Sequence, residues 1–203
     1  MSGVPVGVPT PDADAILADR VVSLLEREER NGALRDRMIG LLGAVNEWLK
    51  FAETKNTTGL TLGSAALAVL TGYDTPWRGW LAVGWACSFV LLIGCVGMAT
   101  LSFLPKTAIE RPRQARVPGE GDNLMFYGHL AEYDHRELVR SIQRRYFGAD
   151  LDTPDRFSED VALQIVSNSA IIVRKLRLFR WSVLLFALGT VIGLVTAALG
   201  RMG

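Results

Sequence analysis

Trp80 to Leu104 is a run of 25 residues without a charged side chain. As a helix rising 1.5 Å per residue, it is long enough to cross a hydrocarbon core of about 30 Å. No other feature narrows the fold as far. In lipid every backbone amide must be bonded within its own segment, so this run is a helix, and the rest of the chain must be arranged around a bilayer. Pro105-Lys106 ends it. Trp181–Leu199 is a second run, of 19 uncharged residues between Arg180 and Arg201. A shorter third run, Leu60–Gly72, reaches about 17 residues with Thr57, Thr58 and Tyr73, the short end of what spans a membrane. Asp74-Thr75-Pro76 then turns the chain. For this short run alone, a helix buried in a soluble core competes with a span. The predicted fold is all-α: a membrane helical bundle with three transmembrane helices, two of them continuing as long cytoplasmic helices.

Composition makes sense once the charges are placed. Hydrophobic residues are 49% of the chain and charged residues 21%, with a net charge of +1. That near-neutral sum conceals strong segregation. Lys50 and Lys55 precede the first run, Lys106, Arg111, Arg113 and Arg116 follow the second, and Arg174, Lys175, Arg177 and Arg180 precede the third. Arg78 alone stands between the first two runs, and Arg201 alone after the last. Lysine and arginine favour the cytoplasmic side. The pattern therefore predicts a multi-pass protein of a bacterial inner membrane, with a cytoplasmic N-terminus, residues 105–180 cytoplasmic, and the C-terminus outside. Trp77, Trp80, Trp85 and Trp181 fall at or near span ends, where amphipathic rings prefer headgroup level. Residues 1–15 lack a basic segment ahead of an apolar one, so no secretory signal is expected and insertion is expected through the internal spans.

The organisation follows. Residues 1–11, with Pro5, Pro9 and Pro11, read as a flexible tail. A helix can start at Asp12 or Asp14. Residues 12–57 are amphipathic: Ile16, Leu17, Val21, Leu24 and Leu25 form one stripe, and Leu34, Met38, Leu41, Leu42, Val45 and Leu49 another. No proline separates them from the first span, so 12–72 is one long helix or two collinear ones. Residues 58–104 form a transmembrane hairpin with spans at about 58–73 and 80–104. Residues 105–122, rich in proline and glycine, are a linker. A helix is expected from Met125 to Phe147 and another, continuous, from about 157 to 199, half cytoplasmic and half membrane. The cytoplasmic block is thus 105–180 and the third span 181–199.

Candidate chemistry is sparse. His129, Asp134 and His135 cluster in sequence but do not share a helix face, and no nucleophile motif or metal-ligand spacing accompanies them. An enzyme is not expected, nor a metal. Cys87 and Cys95 lie eight residues apart in an apolar run and read as small packed side chains. Arg136, Arg140 and Arg144 recur at i, i+4, i+8 with Arg145 adjacent, a stripe suited to bidentate binding of phosphate or to anionic headgroups. Glu132 stands four residues before Arg136 as an ordinary helix partner. Glu53, Lys55 and Asn56 form a polar cluster where the long helix meets the membrane, and such groups should face the bundle interior or water. Gly59, Gly63, Gly189 and Gly193 allow close helix packing, within one chain or between copies in a homo-oligomer. No ionisable residue lies in 80–104 or 181–199, which argues against ion-coupled transport.

Three stretches together carry a family resemblance. They are Phe51–Thr57 with Thr61–Leu70, Phe126–Asp134, and Asp160-Val161-Ala162-Leu163-Gln164-Ile165 continuing through Asn168, Ser169, Ile172, Lys175 and Arg180. In this order, over roughly residues 35–200, the chain resembles the transmembrane effectors of Pycsar anti-phage systems. Glu53 stands where that family tends to have aspartate, and Asn56 where alanine is usual. The resemblance implies a receptor for a cyclic pyrimidine mononucleotide, cyclic UMP or cyclic CMP, made by a partner pyrimidine cyclase during infection. It implies that the activated effector impairs the inner membrane and aborts infection. Its partners would be the lipid bilayer and that nucleotide, with no nucleic acid polymer and no cofactor. Placed on this chain, the Arg136–Arg145 stripe is the phosphate candidate, and Tyr127 or Tyr133 is available to stack on a base. The alternative is a non-signalling membrane anchor or interaction protein.

Overall fold

The computed structural model describes residues 13–72, 79–104, 119, 121–148 and 155–202. The N-terminal tail, the turn around Asp74–Pro76, most of the 105–122 linker and the break before Pro154 lie outside the described residues. Every regular element among those described is helical: α1 (Ala13–Thr71), α2 (Trp80–Leu101), α3 (Tyr127–Leu130), α4 (His135–Phe147) and α5 (Arg156–Met202).

Two of these helices are long. α1 runs 59 residues without a break and α5 runs 47. Both pass from a charged, amphipathic half into an apolar half, and the backbone stays helical through the change. Nothing in 13–71 or 156–202 removes an amide or forces a turn, since no proline lies in either range.

The molecule packs in two layers. The first is a hydrophobic core of soluble type, in which Leu34, Met38, Leu41 and Val45 of α1 meet Leu138, Val139 and Ile142 of α4 and Val161, Ile165 and Ile172 of α5. Leu124, Leu130 and Tyr133 close its floor. The second layer is the apolar halves of α1 and α5 packed around α2. Here few large side chains are buried and many face outward, Val90 at 67% and Leu194 at 66% exposure among them. A surface of that kind suits lipid and not water. Two described helices, α2 and α5, are long and apolar enough to cross a membrane. The apolar end of α1 does not reach the same measure, so the structure shows two candidate spans where the sequence predicts three.

The single helix expected from Met125 to Phe147 is replaced by α3, a turn, and α4. Asp134 is the reason. Its carboxylate accepts a hydrogen bond from the Arg136 amide at 3.0 Å, which caps α4 and starts it at His135. Asp134 and Glu137 stand in capping-box spacing, a signal present in the sequence. Gly148, at φ 67°, closes α4 in the left-handed conformation that glycine adopts without strain.

Candidate functional site

The α4 arginines are exposed, but each has protein partners. Arg140 Nη1 lies 2.7 Å from Glu137 Oε1, and Arg144 Nη2 lies 3.6 Å from Glu137 Oε2. Arg136 Nε lies 3.6 Å from Glu159 Oε1 of α5. Glu132 precedes the start of α4, so it and Arg136 do not share one helix as the sequence predicts. Arg145 is not part of an open anion face. It donates to the carbonyls of Asp122 and, at 3.2 Å, Gly119, clamping the 119–122 turn.

The two tyrosines differ. Tyr133 is fully buried in the core and its hydroxyl donates to Asp122 Oδ2 at 3.0 Å, so its ring offers no face to a ligand. Tyr127 is half-buried, stacked obliquely on Trp48 with ring centroids 5.2 Å apart and on Phe126 at 4.6 Å. With Phe51 these rings form a cluster just below the polar boundary of α1, the level at which amphipathic aromatics sit in a bilayer.

His129 belongs to the same turn. Its Nδ1 accepts from the Asn123 amide at 3.0 Å, so in the neutral ring the proton is on Nε2. Asp122 Oδ1 is 4.0 Å away, too far for a hydrogen bond. His129 and Asp122 therefore secure a turn rather than form an acid–base pair. His135 sits on the first turn of α4, its Nδ1 3.4 Å from Asp134 Oδ2.

A cleft that the sequence reasoning missed opens between α1 and the end of α4. It has a volume of about 690 Å³ and is walled by Asp36, Arg37 and Gly40 on one side and Met125, Tyr146 and Phe147 on the other. The Arg37 guanidinium lies 4.7 Å from the centre of the Tyr146 ring. A cation over an aromatic face, open to solvent, suits a planar anionic ligand. Long-range pairing brings Arg37 and Tyr146 together, and no local spacing signals it.

The boundary cluster is assembled as a seam between α1 and α5. Lys175 Nζ donates to Glu53 Oε1 at 2.9 Å. Asn56 is fully buried; its Nδ2 donates to the carbonyls of Ala52 at 2.9 Å and Lys175 at 3.4 Å. Those two acceptors fix the amide orientation and leave Asn56 Oδ1 buried without a donor. Lys55 points elsewhere, with its ammonium 5.1 Å from the Phe51 ring centre. About two turns deeper into the water-side core, Asn168 Nδ2 donates to Asn46 Oδ1 at 2.9 Å. Above the boundary the contacts become small and weakly polar. Cys95 Sγ lies 3.2 Å from Ser182 Oγ, and Ser88 Oγ donates to the Gly189 carbonyl at 2.7 Å.

All four packing glycines face helices of the same chain. A β-carbon on Gly63 would lie 3.0 Å from Cys95 Sγ, one on Gly193 2.7 Å from Ser88 Oγ, and one on Gly189 3.0 Å from Leu92. Gly59 has ordinary contact with Phe179 and Ser182. Among the described residues no group of three or more metal-ligating side chains forms.

Neither the curated proteins nor the solved structures contain a match to this chain. The family model for the Pycsar effector protein domain matches residues 37–200. That stretch takes in the soluble core apart from Leu34, the α1–α5 seam and nearly all of both candidate membrane helices. The chain therefore belongs to the Pycsar effector protein family, and is a membrane-associated effector of anti-phage defence.

Proposed function

We propose that this effector is switched on by a cyclic pyrimidine mononucleotide, cyclic UMP or cyclic CMP, supplied by a partner pyrimidine cyclase, and that it then impairs the inner membrane to abort infection. In this reading it has no enzymatic activity of its own and crosses the membrane three times, the apolar end of α1 being the third span. The N-terminus and the soluble core are cytoplasmic and the C-terminus is outside.

One observation carries the reading. α1 and α5 are each a single unbroken helix that passes through the soluble core and on into the apolar layer. A ligand that repacks the core therefore moves the spans directly, and no separate coupling element is needed. A ligand shifts such an equilibrium only through different affinity for the two packings. The cleft beside Arg37 and Tyr146 lies between α1 and the end of α4, so a bound anion would act on their packing.

The test uses the full chain in liposomes loaded with a self-quenched dye. Cyclic UMP or cyclic CMP should release dye, and calorimetry should show binding of the same nucleotide. Arg37→Glu should abolish both, since it removes the guanidinium from the cleft and leaves a second carboxylate beside Asp36. Binding without release would remove the membrane-impairment step. Absence of both at millimolar nucleotide would overturn the reading and leave a membrane anchor.

A further inference from the structure

The helices of the apolar layer are polar where they face one another. From 181 to 199 every exposed side chain of α5 is apolar, whereas Ser182 and Thr196 are buried. On α2, Ser88 and Cys95 are fully buried. These groups meet at one-heptad intervals. Asn56 of α1 donates to the Lys175 carbonyl. Seven residues on along α5, Ser182 Oγ lies 3.2 Å from Cys95 Sγ, and Gly63 of α1 packs against that sulfur. Seven further, the Gly189 carbonyl accepts from Ser88, and seven further again Thr196 faces Gly84. From Lys175 to Thr196 the helix rises about 31 Å, against a hydrocarbon core of about 30 Å.

Helix packing alone accounts for a paired polar seam. Two features exceed it. First, Asn56 Oδ1 and Ser102 Oγ are buried without a partner, in residues 0% and 2% exposed. α2 runs antiparallel to α1, with Gly63 against Cys95. Asn56 and Ser102 each lie seven residues from that contact toward the soluble core, so they stand at one level, the mouth of the bundle. A seam built only to hold helices together pairs its polar groups, since each orphan in a bilayer is costly. Second, the far half of the axis is not close-packed. Ser88 borders a cavity of about 190 Å³ walled also by Trp85, Thr190 and Gly193. Val69 and Leu194 in its wall are 62% and 66% exposed, so it reaches the outside of the bundle. Ser88 and Thr190 bring hydroxyls to that wall, which an apolar cavity needs before it holds water. Between mouth and cavity the axis is narrowest, at Gly63, Cys95 and Ser182.

We propose that this axis is a closed path for water, protons and small monovalent cations, and that parting of α1, α2 and α5 opens it. Beyond Lys175 at the mouth no acid or base stands on it, so flow is passive. Ions then cross through the bundle itself, and the bilayer around it stays whole. The inference rests on the activation reading for its trigger and on the end of α1 as the third span.

The test uses the full chain in liposomes under a potassium gradient, in nitrate buffer, with potassium and proton flux read beside dye release. Cys95 is a native probe at the narrow layer, and Cys87, which is exposed, is removed. In Cys87→Ser, silver ion should cut the flux evoked by cyclic UMP or cyclic CMP several-fold. With Cys95→Ser added, silver should have no effect. Silver acting equally on both variants, or on neither, overturns the path. Potassium flux should begin at lower nucleotide than dye release, which follows only as vesicles swell; the two rising together would mark bilayer disruption and overturn it as well. A second arm needs no nucleotide. Ser88→Asp places a charge on the axis beside the cavity and should raise the resting potassium leak several-fold, whereas Val90→Asp, at similar depth but 67% exposed, should not. Equal leak from the two, or none from Ser88→Asp, overturns the path. Where Ser88→Asp does not insert, the uncharged Ser88→Asn answers the same question. If the nucleotides evoke no flux while Ser88→Asp still leaks, the activation reading falls and the path stands.

Discussion

Asn56 is one of the buried residues whose polar groups are not fully paired. A fully buried amide oxygen without a donor costs about 1–3 kcal/mol. Its two donated bonds go to carbonyls that the helices already engage, so little is lost with them. Asn56→Ala is therefore expected to raise the thermal midpoint of the detergent-solubilised protein, or leave it unchanged, despite the lost volume. A fall comparable to a core cavity would show that the amide is satisfied in solution. Glu53 contributes less. Its side chain is half-exposed, and an ion pair of that kind is worth under about 1 kcal/mol. Asp155 carries a pH dependence. Burial tends to raise its pKa, but hydrogen bonding from Ser158 and from Arg35 outweighs burial and holds the carboxyl below its ordinary value. A carboxyl lowered on folding stabilises above its unfolded pKa, near 3.8, and that contribution is lost as pH falls through the folded value. Arg35→Met should thus destabilise at pH 7 and have progressively less effect below about pH 4, as followed by circular dichroism. The polar cluster at 53–56 was legible in the sequence as a boundary feature. Its partner Lys175 was not, because a pair 122 residues apart leaves no local spacing.

Among the elements, α5 is the clearest test of mechanical coupling. Arg177 is exposed and lies between the soluble core and the span. Proline there removes one helical hydrogen bond and kinks the helix at a cost of about 3 kcal/mol, without touching the core. Arg177→Pro should keep nucleotide binding in calorimetry and lose dye release. Retained release would mean that α5 does not transmit the signal. The α2–α5 contact makes a second test. Ser88 and Cys95 on α2 with Ser102 at its C-cap, and Ser182, Gly189 and Thr196 on α5, recur every seven residues, and the two series meet through Ser88 to Gly189 and Cys95 to Ser182. Gly193→Leu would drive a side chain into Ser88 and Leu70. It should part the helices and lower the thermal midpoint by several degrees, where Gly97→Leu, with open space around it, should not. Long helices were readable from uninterrupted periodicity and the lack of proline. The break at 131–134 was readable too, from Asp134 and Glu137, but the apolar spacing of Phe126, Leu130 and Tyr133 runs across it and masks the cap.

For the whole molecule, the packing of the soluble core decides the topology. Leu34 to Val45 of α1 and Val161 to Ile172 of α5 belong to one core, so they lie on the same side of the bilayer. Between them the chain must cross an even number of times. In the proposed reading α2, long and apolar enough to span, supplies one crossing. The apolar end of α1 packs against α2 and α5 and is the described segment placed to supply the other, although it is shorter than the usual span. Its length is offset by Thr57, Thr58 and Thr61, whose hydroxyls bond back to the backbone and so need no water. In the proposed three-span reading, α5 then crosses once and leaves the C-terminus on the far side. The prediction is specific. In intact cells, on a Cys87→Ser, Cys95→Ser background, Gly203→Cys should react with an impermeant maleimide, and Arg20→Cys and Arg140→Cys should react only after permeabilisation. If Arg20→Cys reacts from outside while Arg140→Cys does not, α1 does not cross and the common core cannot form across the bilayer. The three-span reading and the core packing therefore stand or fall in one measurement, because the core ties α1 and the first half of α5 to a single side.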